Sequence, residues 1–242
     1  MRLEIDDARQ FRQLLTALLD EVVDARFHFN LHQDLVKASD EYFKEFSQSP
    51  TFWGLTFSAH IDVVVLRLCR VYDTDRSALN LRNLLDTIKA NLNIFDQPSF
   101  RERLKGNSFV DSLAADSKPP DAGQLEKDIQ AVCDSNPLVR KLVLWRHNYI
   151  AHRNSHYTLN PRKFEAEYPL CFSEVDELSK RALDIGNRYS LLFDASVHST
   201  MLVGREDYLN ILKAVREQVE QHENKMKEEW KRFGAVLKPE VF

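Results

Sequence analysis

The chain has 242 residues, of which 43% are hydrophobic and 29% charged, and its formal net charge is −4. This is an ordinary soluble composition, and the chain is long enough to bury a substantial core. The slight negative charge excludes polyanion binding by bulk attraction, so any nucleic-acid role requires a local basic surface. The 6 glycines and 8 prolines are few for a sheet protein, which needs many tight turns.

Helical periodicity runs through nearly the whole chain, and no stretch shows the alternation that is typical of a strand. A capping residue followed by proline marks two helix starts, at Ser49–Pro50 and Asn136–Pro137. Residues 93–122 are mixed, and residues 154–172 are expected to form a long connection. The helices that we predict cover residues 6–28, 31–46, 50–72, 81–92, 123–134, 137 onwards, 173–193 and 205–233. The predicted fold class is therefore all-α.

The last predicted helix is heavily charged except for one narrow apolar stripe. This pattern is typical of a helix that packs against one partner helix. The partner is either this chain's own bundle or a second copy, and the sequence leaves both open. We predict a helical bundle over residues 1–200 and a C-terminal helix for docking or dimerisation over residues 201–242.

The compartment is predicted from the cysteines and from the most apolar run. Three cysteines lie far apart with no Cys-x-x-Cys pair, which argues against a disulfide framework and a structural zinc site and fits a reducing compartment. The run "TFWGLTFSAHIDVVVLRLC" has the length of a membrane span but contains His60, Asp62 and Arg67. Charges at the bilayer centre cost several kcal/mol. We therefore predict a buried helix in a cytoplasmic protein that makes no membrane contact.

Several enzyme classes are excluded by missing motifs. The glycines stand alone, so the chain has neither a phosphate-binding P-loop nor a dinucleotide fingerprint. It also has no His-Glu-x-x-His and no Gly-x-Ser-x-Gly. We expect no cofactor and no metal.

One segment is electropositive, because no Asp or Glu occurs between Ser135 and Phe164. With 37 acids in 242 residues, roughly four or five would be expected there. Phosphate groups are the natural partners of such a segment. Its basic residues are Arg140, Lys141, Arg146, His147, His152, Arg153, His156, Arg162 and Lys163.

Arg146 falls inside the apolar stripe of its predicted helix, where a charged side chain needs a partner. In a structural interpretation, it pairs with a core acid such as Asp62 or Asp73. In a metal interpretation, His152 and His156 hold a cation, but no nearby carboxylate or cysteine completes that site. In a third interpretation, Arg146 binds a phosphodiester and His152 moves protons near neutral pH.

The third interpretation has a geometric requirement. On an ideal helix, Arg146 and His152 lie about 120° apart and do not converge. Either a distorted helix end or a second copy of the helix is needed, and the latter predicts a two-fold dimer with the site at its interface.

The heptapeptide "RHNYIAH", from Arg146 to His152, resembles the signature of the HEPN superfamily (higher eukaryotes and prokaryotes nucleotide-binding). That signature is an Arg, a polar residue and a His after four to six intervening residues, and His147 fills the polar slot. Upstream, "LCRVYD" and the following "LRNLL" resemble a passage of the abortive-infection branch. The resemblance spans roughly residues 10–195.

The resemblance implies a dimeric helical bundle and a metal-independent ribonuclease of a phage-defence or toxin–antitoxin system. Arg146 and His152 would be catalytic and His147 supporting, with Asp62 or Asp73 as the acid beside Arg146. RNA is the expected substrate, and an antitoxin or regulatory protein a possible partner. The residues expected to bind RNA phosphates are Arg140, Lys141 and Arg153. The alternative is a catalytically silent scaffold that binds RNA, a nucleotide or a protein.

Overall fold

The computed structural model describes residues 3–150 and 154–236, and every regular element in them is a helix. The predicted all-α class and the long C-terminal helix are confirmed. A 3₁₀ segment covers Leu92–Phe95 and a π-helical turn covers Arg146–Ile150. The α-helices are α1 (Ala8–Glu41), α2 (Phe43–Ser47), α3 (Pro50–Val71), α4 (Leu81–Ala90), α5 (Gln97–Arg103), α6 (Val110–Ala115), α7 (Ala122–Val132), α8 (Pro137–Trp145), α9 (Ser155–Leu159), α10 (Pro161–Glu167), α11 (Phe172–Asp194) and α12 (Tyr208–Val236).

The first two predicted helices are one continuous helix, α1, followed by the short α2. The prediction of a break near residue 30 was wrong, since α1 continues through this point to Glu41. Neither glycine nor proline occurs near residue 30 to interrupt the helix. The predicted long connection over residues 154–172 is also corrected, since it contains α9 and α10. Proline stands in the first turn of α10, where its missing N–H costs nothing.

Helix α3 is less buried than predicted. It is long and apolar enough to cross a membrane by length and composition alone, a test that the core helix of a soluble protein also passes. Only 22% of its most apolar window is buried, so the prediction of a buried central helix was wrong for most of its length. Phe52 and Leu55 are 61% and 68% exposed on it.

Contacts group the chain into two compact units, Met1–Phe29 with Ile61–Thr200, and Asn30–His60 with Met201–Phe242. We call them the first and the second unit. The predicted division at residue 200 stays a prediction.

The first unit has a large apolar core built on α1, α3, α4, α7, α8 and α11. Three buried phenylalanines lie edge to face at its centre, with ring centroids 4.9–5.7 Å apart. They are Phe11, Phe95 and Phe193. Gly186 permits close contact of α11 with α1, because a Cβ atom there would lie 2.4 Å from Cδ2 of Leu19.

The second unit has a smaller core that includes Tyr42, Phe46, Trp53 and Leu212. The beginning of α12 is thus docked within its own chain, with Leu212 fully buried. The end of α12 is open, since Trp230 is 72% exposed. Docking is observed for the first part of the stripe, and dimerisation stays a prediction for the rest.

Candidate functional site

The RHNYI part of the heptapeptide forms a π-helical turn that continues α8. Asn136 caps the start of α8, with its side-chain oxygen accepting the N–H groups of Leu138 and Val139 at 3.1 and 3.4 Å. Wide turns of this kind are rare and are frequently found at functional sites. In this turn, the side-chain amide of Asn148 donates to the Leu144 carbonyl at 2.9 Å. The helix end is therefore distorted, which is one of the two arrangements that the phosphodiester interpretation requires.

Arg146 is the first residue of this turn, and its guanidinium donates to a carboxylate oxygen of Asp73 at 2.5 Å. The side chains are 29% and 12% exposed, respectively. Asp73 follows the end of α3 by two residues, whereas Asp62 is exposed on α3. Of the two acids expected beside Arg146, Asp73 therefore makes the ion pair. This pair explains how an arginine can lie on an apolar helix face.

The loop that carries Asp73 is fixed by two buried asparagines. The Asn83 side chain donates to the carbonyls of Asp75 and Ala78 at 2.9 and 2.8 Å. The Asn80 side chain donates to the same Asp75 carbonyl at 2.9 Å and caps α4 by accepting the N–H of Asn83. The carboxylate of Asp73 also accepts the N–H of Asp75 at 3.0 Å. The loop is thus ordered before any ligand arrives.

A buried thiol lies near the ion pair. Cys69 is 3% exposed, and burial raises the pKa of its thiol to about 12, with a smaller lowering by Arg146 and a smaller raising by Asp73. Cys69 is therefore inert as a nucleophile at neutral pH and serves the core.

The other predicted RNA-binding residues differ in their surroundings. Lys141 pairs with Glu174, and both side chains are about a quarter exposed. Arg140 and His147 are exposed, and no ion pair of either is found in the described part of the chain. His152, the second predicted catalytic residue, and Arg153 lie outside the described residues.

Two asparagines, Asn148 and Asn154, join the described residues before position 151 to those after position 153. The Asn154 backbone N–H donates to the Asn148 carbonyl at 3.2 Å, and the two side chains are hydrogen-bonded at 3.0 Å. Asn148 belongs to the π-helical turn, so Asn154 is fixed relative to Arg146. His152 itself lies outside the described residues, between these two asparagines in the sequence.

An aromatic cluster attaches α9 and α10 to the end of α8. The Trp145 indole N–H donates to the Tyr168 carbonyl at 2.6 Å, and its ring lies 5.2 Å from each of the Tyr149 and Phe164 rings. Phe164 is 1% exposed and also contacts Tyr157, with 4.7 Å between ring centroids. The described parts of the basic segment are thus attached to a small aromatic core.

Within the described residues, no group of three or more His, Cys, Asp or Glu side chains is arranged to hold a metal ion. His156 is exposed, with its ring 5.3 Å from that of Tyr157. The proposed second ligand, His152, lies outside the described residues.

Reasoning from the sequence missed the asparagines and Glu174. Asn83 interrupts the apolar spacing of "LRNLL", and a polar side chain on a buried helix face indicates a hydrogen-bonded role. Glu174 is the third residue of α11 and accepts the Cys171 N–H, a local capping pattern, but nothing in the sequence indicates its contact with Lys141, 33 residues away.

Comparison with known proteins gives one match. A family model of HEPN proteins, described as AbiU2, matches residues 9–214. No curated protein and no solved structure matches the chain. The matched range includes Asp73, Arg146 and the whole heptapeptide.

Proposed function

Because the chain belongs to the AbiU2 family of HEPN proteins, we propose that it is an endoribonuclease of a phage-defence or toxin–antitoxin system. The observation that supports this proposal most is that the ion pair with Asp73 fixes Arg146 in the π-helical turn, which His152 follows in the sequence. The ion pair with Asp73 uses part of the guanidinium, and the side chain remains 29% exposed. A planar, permanently charged group of this kind suits a phosphodiester.

The proposed reaction is transfer of the phosphoryl group to the neighbouring 2′-hydroxyl. His152 accepts the proton of that hydroxyl as its oxygen forms a bond to phosphorus. Arg146 stabilises the negative charge on the phosphorane-like transition state. The bond to the 5′-oxygen breaks, and this oxygen takes a proton from a water molecule, giving a 2′,3′-cyclic phosphate and a 5′-hydroxyl. His152 then gives its proton to the hydroxide that is left. The reaction needs neither an oxidant nor a cofactor, and we propose that it needs no metal.

The neighbouring basic residues would position RNA. Arg140 and His147 are exposed and available to phosphates. Lys141 contributes less in this account, because Glu174 already neutralises it. Arg153 stays a proposed phosphate contact. Asp73 acts through Arg146 as a positioning residue, and Asp62 has no role in the proposed site.

We propose that the active form is a cytoplasmic homodimer controlled by an antitoxin or another regulatory protein. The dimer rests on the family resemblance and not on helix geometry, because the π-helical turn already departs from the regular helix on which Arg146 and His152 diverge. A location in the cytoplasm is supported by Asp62 and by Arg67, which pairs with Glu21 at 3.0 Å. Both charges lie within α3 and would oppose its insertion into a membrane.

A second candidate is a silent scaffold that binds RNA, a nucleotide or a protein. The ion pair between Arg146 and Asp73 favours it, because this pair alone accounts for Arg146 as a structural residue. The two candidates differ in turnover, since a scaffold binds its ligand without cleaving it.

Induced expression in a bacterial host tests the proposal. The ribonuclease account predicts growth arrest with wild type and normal growth with His152→Ala at equal soluble protein levels. Lys118→Ala is the control, because it removes an exposed cation outside the basic segment and leaves both catalytic residues and the proposed RNA contacts. Arrest that persists in His152→Ala would contradict the proposed catalytic role.

A further inference from the structure

The strongest unassigned feature near the site is Tyr149, whose ring is both exposed and rigidly supported. It lies in the same π-helical turn as Arg146 and is 55% exposed. Its inner side contacts Trp145 edge to face, with ring centroids 5.2 Å apart and planes at 61°. More than half of the Tyr149 side chain is thus left to solvent.

The neighbour of the Tyr149 ring, Trp145, is itself held in place by other residues. Trp145 is fixed by its hydrogen bond to the Tyr168 carbonyl and by Phe164, which is 1% exposed. Tyr149 therefore loses little conformational freedom when a flat ligand binds on its open side.

The charge around this ring indicates the class of ligand. Arg162 and Lys163 precede Phe164 directly and are exposed on α10, and the Phe164 ring contacts Trp145, which in turn contacts Tyr149. Neither cation forms an ion pair within the described part of the chain. Exposed aromatic rings combined with unpaired cations are typical of surfaces that bind single-stranded nucleic acid.

We propose that Tyr149 is a stacking platform for an unpaired base of the RNA, next to the phosphate that Arg146 binds. This proposal rests on the proposed ribonuclease function and adds to it a preference for unpaired RNA. A base in a duplex is stacked on its neighbours and cannot lie on the tyrosine, so the site selects unpaired RNA. The interaction needs the ring and not the hydroxyl group of Tyr149.

The test uses a single-stranded RNA with 2′-O-methyl sugars, which resists cleavage, and one 2-aminopurine base. The fluorescence of 2-aminopurine falls when this base stacks on an aromatic ring. We expect wild type and Tyr149→Phe to bind and to quench it. In Tyr149→Leu we expect affinity about tenfold weaker and no quenching, because stacking on an aromatic ring is lost. Phe109→Leu, which removes a 70% exposed aromatic residue outside α8–α10, is the control and should behave as wild type.

Tyr149→Leu with wild-type affinity and quenching would overturn the platform, and so would wild type that binds no single-stranded RNA. Binding of a protein partner that depends on Tyr149, without binding of RNA, would assign the surface to protein instead. If quenching depends on the ring but no natural RNA is cleaved, the platform stands and the ribonuclease proposal fails. If RNA is cleaved and Tyr149→Leu cleaves paired and unpaired RNA as wild type does, only the platform fails.

Discussion

The guanidinium of Arg146 and the carboxylate of Asp73 lie 2.5 Å apart, although 73 residues separate them in the chain. This contact joins the π-helical turn to the end of α3. It neutralises the charge of an arginine on an apolar helix face. It also fixes the guanidinium group that the proposed reaction requires. The structural and the catalytic interpretations of Arg146 are therefore compatible.

Removing one member of this pair should destabilise the protein. Asp73→Ala leaves a partly buried charge without its partner, and hydrogen bonds to charged groups contribute about 1.5–3 kcal/mol. We expect a loss of about 2 kcal/mol in the free energy of unfolding, measured with urea. In a double-mutant cycle with Arg146→Met, the two losses should not add.

The matched control for this cycle is the exposed pair Lys89–Glu126, whose side chains are 59% and 49% exposed. It should show little coupling, because solvent screens exposed pairs. Equal coupling in both pairs would mean that the contact of Arg146 with Asp73 has no special structural role.

The asparagine network predicts a second effect, on the reactivity of Cys69. Asn83→Ala removes the donors that hold the loop after Asp73, so the neighbourhood of the ion pair should open more often. With Cys133→Ser and Cys171→Ser as background, Cys69 is the one remaining thiol.

Alkylation of Cys69 should then be slow in the background protein and at least several-fold faster when Asn83→Ala is added. Asn107→Ala removes an asparagine of another loop and serves as the control. Unchanged protection of Cys69 in Asn83→Ala would show that the network does not hold the site.

Glu174 predicts a pH dependence of stability. Burial raises the pKa of its carboxyl group, but hydrogen bonds from Lys141 and from the Cys171 N–H more than offset this and hold the pKa below its usual value of 4.5. Because the pKa is lower in the folded state, the contribution to stability is complete above the unfolded value. It is lost as the pH falls from there through the folded value.

Glu174→Gln should therefore be less stable than wild type at pH 7, with the difference shrinking below about pH 4. Urea unfolding between pH 3 and 7 measures this, and Glu177→Gln on the same helix controls for the loss of a carboxylate. A difference that stays constant with pH would contradict the assignment.

The proposed dimer predicts complementation between two inactive variants. If Arg146 of one copy acts with His152 of the other, a mixed dimer of Arg146→Ala and His152→Ala regains one intact site. Random exchange of equal amounts should restore about a quarter of wild-type activity. If the two residues act within one copy, no mixture will be active, and mass measurement of the species in solution checks that dimers form.

The fold was predictable from the sequence where local signals are strong. Helical periodicity and the cap at Asn136–Pro137 determine α8 by short-range chemistry. The break predicted near residue 30 failed because a change of apolar face does not by itself end a helix, and neither glycine nor proline occurs there. The exposure of α3 was missed because composition indicates how apolar a helix is but not what covers it.

The site was predictable in its residues and not in its contacts. A spacing motif identified Arg146, and the need for a counter-ion limited the partner to Asp62 or Asp73. Choosing between them required the position of the loop after α3, which Asn80 and Asn83 fix by long-range hydrogen bonds. The π-helical turn was not predicted either, and Trp145, the residue before it, is held by the Tyr168 carbonyl, which no local pattern indicates.

The most direct measurement incubates purified protein with mixed RNA in EDTA and analyses the ends of the products. Wild type, Arg146→Lys, Arg146→Ala and His152→Ala are compared after circular dichroism shows that each is folded. Arg146→Lys retains a charge for Asp73 while losing the planar fork, so it separates catalysis from stability. The account predicts cleavage by wild type to 2′,3′-cyclic phosphate ends and rates at least about a hundredfold lower in the variants. Wild type that binds RNA and leaves it intact at every concentration, or folded variants that cleave as wild type does, would contradict it.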